Sequence, residues 1–110
     1  MEKVQLENLT AEQISFQLIL NSGNARSKII QSLREYREGN VAIADQLVVQ
    51  AEEALNIAHD IHFQMVQKEA MGQETAFSLL LMHSEDHLMS TLTMKELVKE
   101  ILEIFKAQNK

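Results

Sequence analysis

The stretch REGN, residues 37–40, separates two long runs of helix-favouring sequence. Glycine readily adopts the left-handed backbone conformation that ends a helix, so Gly39 marks the end of one helix. Asn40 is a suitable N-cap for the next helix. The stretch EAMG, residues 69–72, makes a second break of this kind, and the 110-residue chain contains no proline. Its abundant Ala, Leu, Glu, Gln, Lys and Met favour helices, so the sequence predicts three long ones.

The limits of the three helices follow from local signals. Thr10 followed by Gln13 has the form of a capping box, so the first helix is predicted to start there and to end at 37–39. The second helix is predicted over Val41 to about Ala70. The third is predicted from about Thr75 to Ala107.

Apolar residues recur along these helices at the spacing of an amphipathic helix. They are Ile14, Leu18, Ile29, Ile30 and Leu33 on the first helix, and Ala44, Leu47, Val48, Ala51, Leu55, Ala58, Ile61, Met65 and Val66 on the second. Short breaks favour antiparallel neighbours, so the sequence predicts an all-α, antiparallel up-down-up bundle of three long helices. We expect one domain over residues 1–110, with residues 1–9 as a flexible N-terminal extension.

The charge and composition of the chain argue against several classes of binding partner and against insertion in a membrane. The net charge of -6 argues against nucleic acid and anionic membranes as partners. No segment has the roughly 20 apolar residues of a membrane span, so we expect no direct membrane insertion. The chain contains no cysteine, which excludes disulfides and thiol chemistry. We therefore expect a cytoplasmic protein.

The third predicted helix is apolar on nearly all sides between residues 77 and 92. At about 100° per residue, two groups lie on opposite sides of it: Ala76, Leu79, Leu80, Leu97 and Ile101 beside His83, and Leu81, Leu88 and Leu92 facing away. A helix in a monomeric three-helix bundle needs to bury only one stripe. The second apolar side therefore predicts a homo-oligomer.

The run LLLMHSEDHLMS, residues 79–90, sets His83, Asp86 and His87 in these apolar surroundings. We expect all three to face a buried surface, where they need partners. A catalytic metal site, a hydrogen-bonded histidine pair without chemistry and a phosphohistidine site are all possible. The zincin and carboxylate-bridged di-metal motifs need glutamate where this chain has other residues, which disfavours metal catalysis. A neutral imidazole is nucleophilic near pH 7, and His87 is one turn from His83 and able to donate to phosphoryl oxygens.

Four segments of the chain resemble the lactose/cellobiose-type enzyme IIA component of the bacterial phosphoenolpyruvate-dependent sugar phosphotransferase system. They are NSGNARSKI at 21–29, EALNIAH at 53–59, EAMG at 69–72 and MHSEDHLM at 82–89. The last is the most specific, because the family pattern there is histidine, two residues, then Asp-His-Leu-Met. The resemblance implies a three-helix subunit that assembles as a homotrimer.

The resemblance also implies a role for each member of the cluster. His83 would be the phosphorylated nucleophile, receiving its phosphoryl group from the histidine-containing phosphocarrier protein and passing it to enzyme IIB. Membrane enzyme IIC would then take up a sugar of the lactose, cellobiose or chitobiose class. His87 would orient His83 or donate to the phosphoryl group. Asp86 would meet its two symmetry mates around a divalent cation, Mg²⁺. The alternative is a non-catalytic helical interaction or regulatory module of the same family.

Three further positions are candidates for the pocket. Gly23 lies mid-helix, where it allows either close helix approach or room for a phosphoryl group beside His83. His59 and His62 lie near the apolar stripe of the second helix. His62 and Glu85 depart from the family pattern, which often has glutamine at the first position and usually at the second. On the helical wheel Glu85 points away from His83, so we expect activity to survive its charge.

Overall fold

The computed structural model of the chain describes residues 4–74 and 77–109. A short 3-10 helix, Leu6–Asn8, precedes three long α-helices: α1 at Ala11–Arg37, α2 at Val41–Ala70 and α3 at Leu79–Gln108. The described residues form no strand, and the predicted all-helical class is confirmed. Within these two ranges no helix is long and apolar enough to cross a membrane.

Local hydrogen bonds explain where the helices begin and end. The capping box at the start of α1 is confirmed, because Gln13 N donates to Thr10 Oγ1 at 3.1 Å and Thr10 N donates to Gln13 Oε1 at 2.9 Å. The glycines after α1 and α2 have φ values of +88° at Gly39 and +84° at Gly72. In each case the residue after the glycine donates to a carbonyl five residues earlier, which is the Schellman arrangement.

Two details of the predicted helix ends are wrong. Asn40 stands at the N-cap of α2, but its side chain does not cap the helix. It donates instead to Glu35 Oε2 at 3.0 Å. The third helix begins at Leu79 rather than near Thr75, which lies outside the described residues. Ser78 sets that start, because its hydroxyl accepts a hydrogen bond from Leu81 N at 3.0 Å.

Contacts at the ends of the helices establish the up-down-up order. The Tyr36 and Phe105 rings stack with centroids 6.1 Å apart, which brings the C-terminal ends of α1 and α3 together. Lys106 near the end of α3 donates to Asp45 near the start of α2 at 2.7 Å. The first and third helices therefore run parallel to each other and antiparallel to α2.

All three helices contribute to one hydrophobic core. Its buried members include Leu18, Ala25, Ile29, Val48, Ala51, Leu55, Ala58, Ile61, Leu81, Leu88, Val98 and Leu102. The predicted stripe on α2 is confirmed except at Val66, which is 47% exposed. The buried face of α1 also contains three serines, at positions 15, 22 and 32. Small residues on this face allow the helices to pack closely.

Residues 4–9, within the predicted N-terminal extension, contact the helices. Leu6 is 4% exposed, and Val4 packs against the core. The carbonyl of Val4 accepts a hydrogen bond from Gln64 Nε2 at 2.7 Å. Residues 4–9 therefore lie against the bundle, because two apolar side chains and one backbone carbonyl find partners there.

Candidate functional site

The second and third turns of α3 carry the predicted cluster on the outside of the bundle. Within the single chain, His83 and Asp86 are exposed and His87 is half-buried. The three side chains therefore do not face the core of the single chain, and a buried surface around them would have to lie between copies of the chain. The core instead receives the opposite side of α3, where Leu81, Ser84 and Leu88 are buried.

Ser84 makes this orientation of α3 possible. Ser84 follows His83 in the sequence and is fully buried. Its hydroxyl donates a hydrogen bond to the carbonyl of Leu81 at 2.7 Å. A small side chain with its donor satisfied can face the core without the cost of an unpaired polar group. Leu81 and Leu88 lie on the same side, so burial of this side turns His83 outward.

His83 and His87 are neighbours on the outer surface of the helix. Their ring centroids are 6.0 Å apart and the ring planes meet at 78°, an edge-on arrangement. His87 Nδ1 is buried and has no hydrogen-bond partner within the described residues. The cluster therefore combines one exposed imidazole with a second, half-buried imidazole one turn further along α3.

Thr91 supports this pair and was not identified from the sequence. Its Oγ1 donates to the carbonyl of His87 at 2.7 Å, and the residue is completely buried. A threonine four residues after a histidine in a helix is the local signal that predicts such a contact. The contact ties the backbone at His87 to the buried side of α3.

Asp86 lies in a row of exposed residues that follows α3 at intervals of three or four residues. Exposed apolar members of the row are Leu79 at 82%, Met82 at 59%, Met89 at 41% and Leu97 at 59%. We call Leu79, Met82, Asp86, Met89, Thr93 and Leu97 the α3 seam. This spacing is typical of helices that pack along one another.

A single chain does not assemble a metal site around Asp86. In residues 4–74 and 77–109, no group of three or more His, Cys, Asp or Glu side chains could hold a metal ion. Asp86 is the one carboxylate of the α3 seam.

The two positions that depart from the family pattern lie in contact. His62 Nδ1 on α2 is 2.5 Å from Glu85 Oε2 on α3, and their side chains are 27% and 26% exposed. The two atoms are close enough for an ion pair but are not aligned as a hydrogen bond. The exposed His59 has its ring centroid 6.3 Å from that of His62. The expectation that Glu85 points away from His83 agrees with this contact.

Gly23 does not serve close packing within the chain. A Cβ atom added there would meet no atom within 4 Å, apart from the backbone of its own helix. The glycine lies in an open groove on α1 beside Leu20, Asn24 and Ser27. Within the single chain, His83 is therefore not adjacent to Gly23, and no neighbouring helix approaches the glycine closely.

Comparisons with known proteins identify the family. The family model of the PTS system lactose/cellobiose-specific IIA subunit matches residues 13–106. The oligo-beta-mannoside-specific EIIA component of Bacillus subtilis strain 168 is 69% identical over 109 residues, covering 99% of both chains. The crystal structure of a cellobiose-specific enzyme IIA from Bacillus anthracis is 48% identical with a TM-score of 0.86, covering 92% of this chain and 93% of that one.

A further match is the IIA(Chitobiose)–HPr complex of the N,N'-diacetylchitobiose branch of the Escherichia coli phosphotransferase system. Its matched chain is 30% identical with a TM-score of 0.72, covering 93% of this chain and 99% of that one. The family model alone spans most of the chain. The chain therefore belongs to the lactose/cellobiose-specific IIA family of the sugar phosphotransferase system.

Proposed function

We propose that this protein carries a phosphoryl group on His83 between the histidine-containing phosphocarrier protein, HPr, and an enzyme IIB. Components of its family act as phosphotransferases in sugar uptake. A related IIA protein has been solved in complex with HPr, which supports HPr as the donor here. The acceptor IIB and the membrane enzyme IIC follow from the same family assignment, as does action in the cytoplasm.

The observation that carries the proposal is the arrangement of His83 and His87. His83 is exposed at the bundle surface, so a second protein can bring a phosphohistidine to it. The centroid of the His87 ring lies 6.0 Å from that of His83, and the two ring planes meet at 78°. An N–H on that ring can donate to a phosphoryl oxygen, where charge-assisted hydrogen bonds are strong.

The chemistry needs little beyond positioning. The lone pair of a neutral His83 ring nitrogen attacks the phosphorus of the donor phosphohistidine, and a new N–P bond forms as the donor's N–P bond breaks. The donor imidazole leaves with the electron pair of that bond. Transfer to IIB repeats the exchange with His83 as the leaving group. His87 holds the phosphoryl oxygens in both directions.

Assembly into a homotrimer would account for the exposed α3 seam. Leu79, Met82 and Leu97 present large apolar surfaces that a second and third copy would bury. Asp86, in the same seam, would meet its two symmetry mates on the axis. A divalent cation such as Mg²⁺ would neutralise the three carboxylates there, since oxygen ligands suit it.

The substrate class follows the relatives. The matched proteins are named for oligo-beta-mannosides, cellobiose and chitobiose. We therefore propose uptake of a small β-linked sugar. IIA itself does not contact the sugar in this scheme, so the identity of the sugar is set by the membrane component.

Intact-mass measurement tests the central claim. The protein is incubated with phosphoenolpyruvate, enzyme I and HPr, and the expected result is a gain of one acid-labile phosphate. His83→Ala should abolish the gain while helix content stays unchanged. His59→Ala is the matched control, because His59 is also exposed but lies on α2. A wild-type protein that gains no phosphate would instead support a non-catalytic module of the same family.

A further inference from the structure

We infer that a groove between the C-terminal ends of α1 and α3 is the surface on which a second copy of the chain docks, with Arg34 of one copy paired to Glu100 of the next. The inference rests on the homotrimer of the proposed function and names a contact that would join its copies. It concerns the end of the bundle away from His83, which takes no part in the proposed phosphoryl transfer.

The groove lies beside the stacked rings of Tyr36 and Phe105 and is open to solvent. It encloses about 640 Å³, which is more than a single side chain fills. Its walls combine apolar side chains from both helices with two arginines, and the members that matter here are Ile30, Leu33, Ile101, Phe105, Arg34 and Arg37. We call it the α1–α3 groove. None of the described residues that line it is acidic, although the chain has a net charge of -6. A complementary surface would therefore be apolar and negatively charged.

Arg34 is the cation of the groove that has no partner within the chain. It is exposed in the last turn of α1, and it forms no ion pair with a carboxylate of residues 4–74 and 77–109. Arg37, by contrast, lies 3.8 Å from Glu38. The guanidinium of Arg34 is therefore free to bind a carboxylate of another molecule, for which its planar fork of donors is suited.

Glu100 supplies the opposite charge on the exposed side of α3. It continues the spacing of the α3 seam beyond Leu97, and it is exposed without an ion pair to any other described residue. The nearby Glu96 and Glu103 each have a lysine as a partner. Leu97 and Ile104, which are 59% and 54% exposed, lie about one turn to either side of Glu100. This part of α3 therefore offers the apolar and acidic surface that the α1–α3 groove would accept.

The groove and Glu100 lie on opposite sides of the α3 seam. With Asp86 as the centre of the seam, Ile101 and Phe105 lie about 60° and 100° to one side on the helical wheel. Glu100 lies about 40° to the other side. Rotation of one copy about an axis beside the seam brings one side of its α3 against the opposite side of the next copy. Contacts between unlike surfaces of this kind form a ring when the rotation closes.

The two surfaces also lie at matching heights along the bundle. The stacked rings of Tyr36 and Phe105 place these two residues at one level on the parallel helices α1 and α3. Arg34 is then level with position 103 of α3, and Glu100 lies about 4.5 Å further along the axis toward His83. Rotation about an axis parallel to α3 leaves heights unchanged. Arg34 of one copy is therefore within one helical turn of Glu100 of the next, which its long side chain can span.

Reversal of the two charges, singly and together, tests the contact. Sedimentation equilibrium of the full chain at low salt gives the concentration of half-assembly for wild type, Arg34→Glu, Glu100→Arg and the double variant. Each single variant sets two like charges against each other in every contact, whereas the double variant restores opposite charges in reversed order. Glu53→Arg is the matched control, because Glu53 is exposed on α2, outside both surfaces. It changes the net charge by the same amount as Glu100→Arg.

Each single variant should raise the concentration of half-assembly roughly tenfold. One exposed ion pair changes a contact by about fivefold, so three contacts change the association constant of the ring by about a hundredfold. For three copies the concentration of half-assembly varies as the square root of that constant. The double variant and Glu53→Arg should assemble as the wild type does. In about 1 M salt, which screens exposed charges, the single variants should approach the wild type.

Single variants that assemble like the wild type, or a double variant that assembles no better than either of them, would overturn the inference and leave the α1–α3 groove to a different protein. If a reversed charge unfolded the chain in circular dichroism, Arg34→Gln and Glu100→Gln would take its place, and the double glutamine variant should then assemble no worse than either single one. A wild type that stays monomeric at every concentration would overturn the proposed homotrimer, and the docking surface with it. Phosphorylation of His83 is measured separately by intact mass, so these failures are distinguished.

Discussion

Leu88 and Leu97 lie on different sides of α3, and a matched pair of alanine substitutions should separate folding from assembly. Leu88 is 0% exposed in the core, whereas Leu97 is 59% exposed in the α3 seam. Complete burial predicts a cost of about 3 kcal/mol for Leu88→Ala, within the range of about 2–5 kcal/mol for buried leucines. Leu97→Ala should cost less than about 1 kcal/mol within one chain, because most of its side chain already contacts water.

Urea unfolding followed by far-ultraviolet circular dichroism measures both costs. With a slope of about 1.5 kcal/mol per molar urea, Leu88→Ala should lower the midpoint by about 2 M. Leu97→Ala should leave the dilute chain almost unchanged but weaken association in sedimentation equilibrium. If the seam joins copies of the chain, the wild-type midpoint should also rise with protein concentration, and Leu97→Ala should reduce that rise.

The reverse pattern would refute the assignment of faces on α3. A cost below about 1 kcal/mol for Leu88→Ala would mean that this side is not the core. A large loss of stability for Leu97→Ala in a protein that sediments as a monomer would mean that the seam packs within the chain. An unchanged assembly in Leu97→Ala would remove the seam as a contact between copies.

Three further outcomes follow from the same structure. His87→Ala should slow phosphorylation without removing the site, and phosphate reaching His83 at the wild-type rate would show that His87 makes no contact with the phosphoryl group. Chelation should weaken the assembled protein near neutral pH, and Asp86→Leu should abolish that sensitivity in sedimentation. Asp45 hydrogen-bonds Lys106 and raises its pKa above the usual 10.5. The stabilisation is therefore present below that value and lost as pH rises through the raised pKa, so the deficit of Asp45→Asn in urea unfolding should shrink above about pH 10.5.

Short sequence motifs correctly predicted that the chain forms three helices and where the first two of them end. The capping box at Thr10 and the breaks at Gly39 and Gly72 depend on local backbone geometry, which neighbouring residues determine. The orientation of α3 could not be predicted in this way, because its first half is apolar on nearly every side. The core selects one side through Ser84 and Thr91, which hide their hydroxyls by donating to their own helix.

In the candidate site, too, contacts within one helix could be predicted from the sequence, whereas contacts between helices could not. The spacing of His83 and His87 follows from one helix, and so does their proximity. His62 and Glu85 each departed from the family pattern, but their contact depends on how far α2 is displaced along α3. That displacement is a property of packing between distant segments, and neither position specifies it alone.

The ion pairs between α2 and α3 also determine how the two helices are aligned along their length. Moving α3 by two turns so that Lys106 met Glu52 would place Lys99 opposite His59, and Glu85 opposite Glu69. Like charges would then face each other at the end of the bundle that carries His83.

A shift by two turns in the opposite direction would be no better. Lys99 would meet Asp45, but Glu85 would be set against Leu55, which is 2% exposed in the core. A carboxylate there would have no partner and would lose its hydration. In the lysine pairs the carboxylate is on α2, whereas in the His62–Glu85 pair it is on α3. Of these three alignments, only the observed one therefore satisfies every pair. The position of His83 along the axis of the bundle is fixed as a consequence.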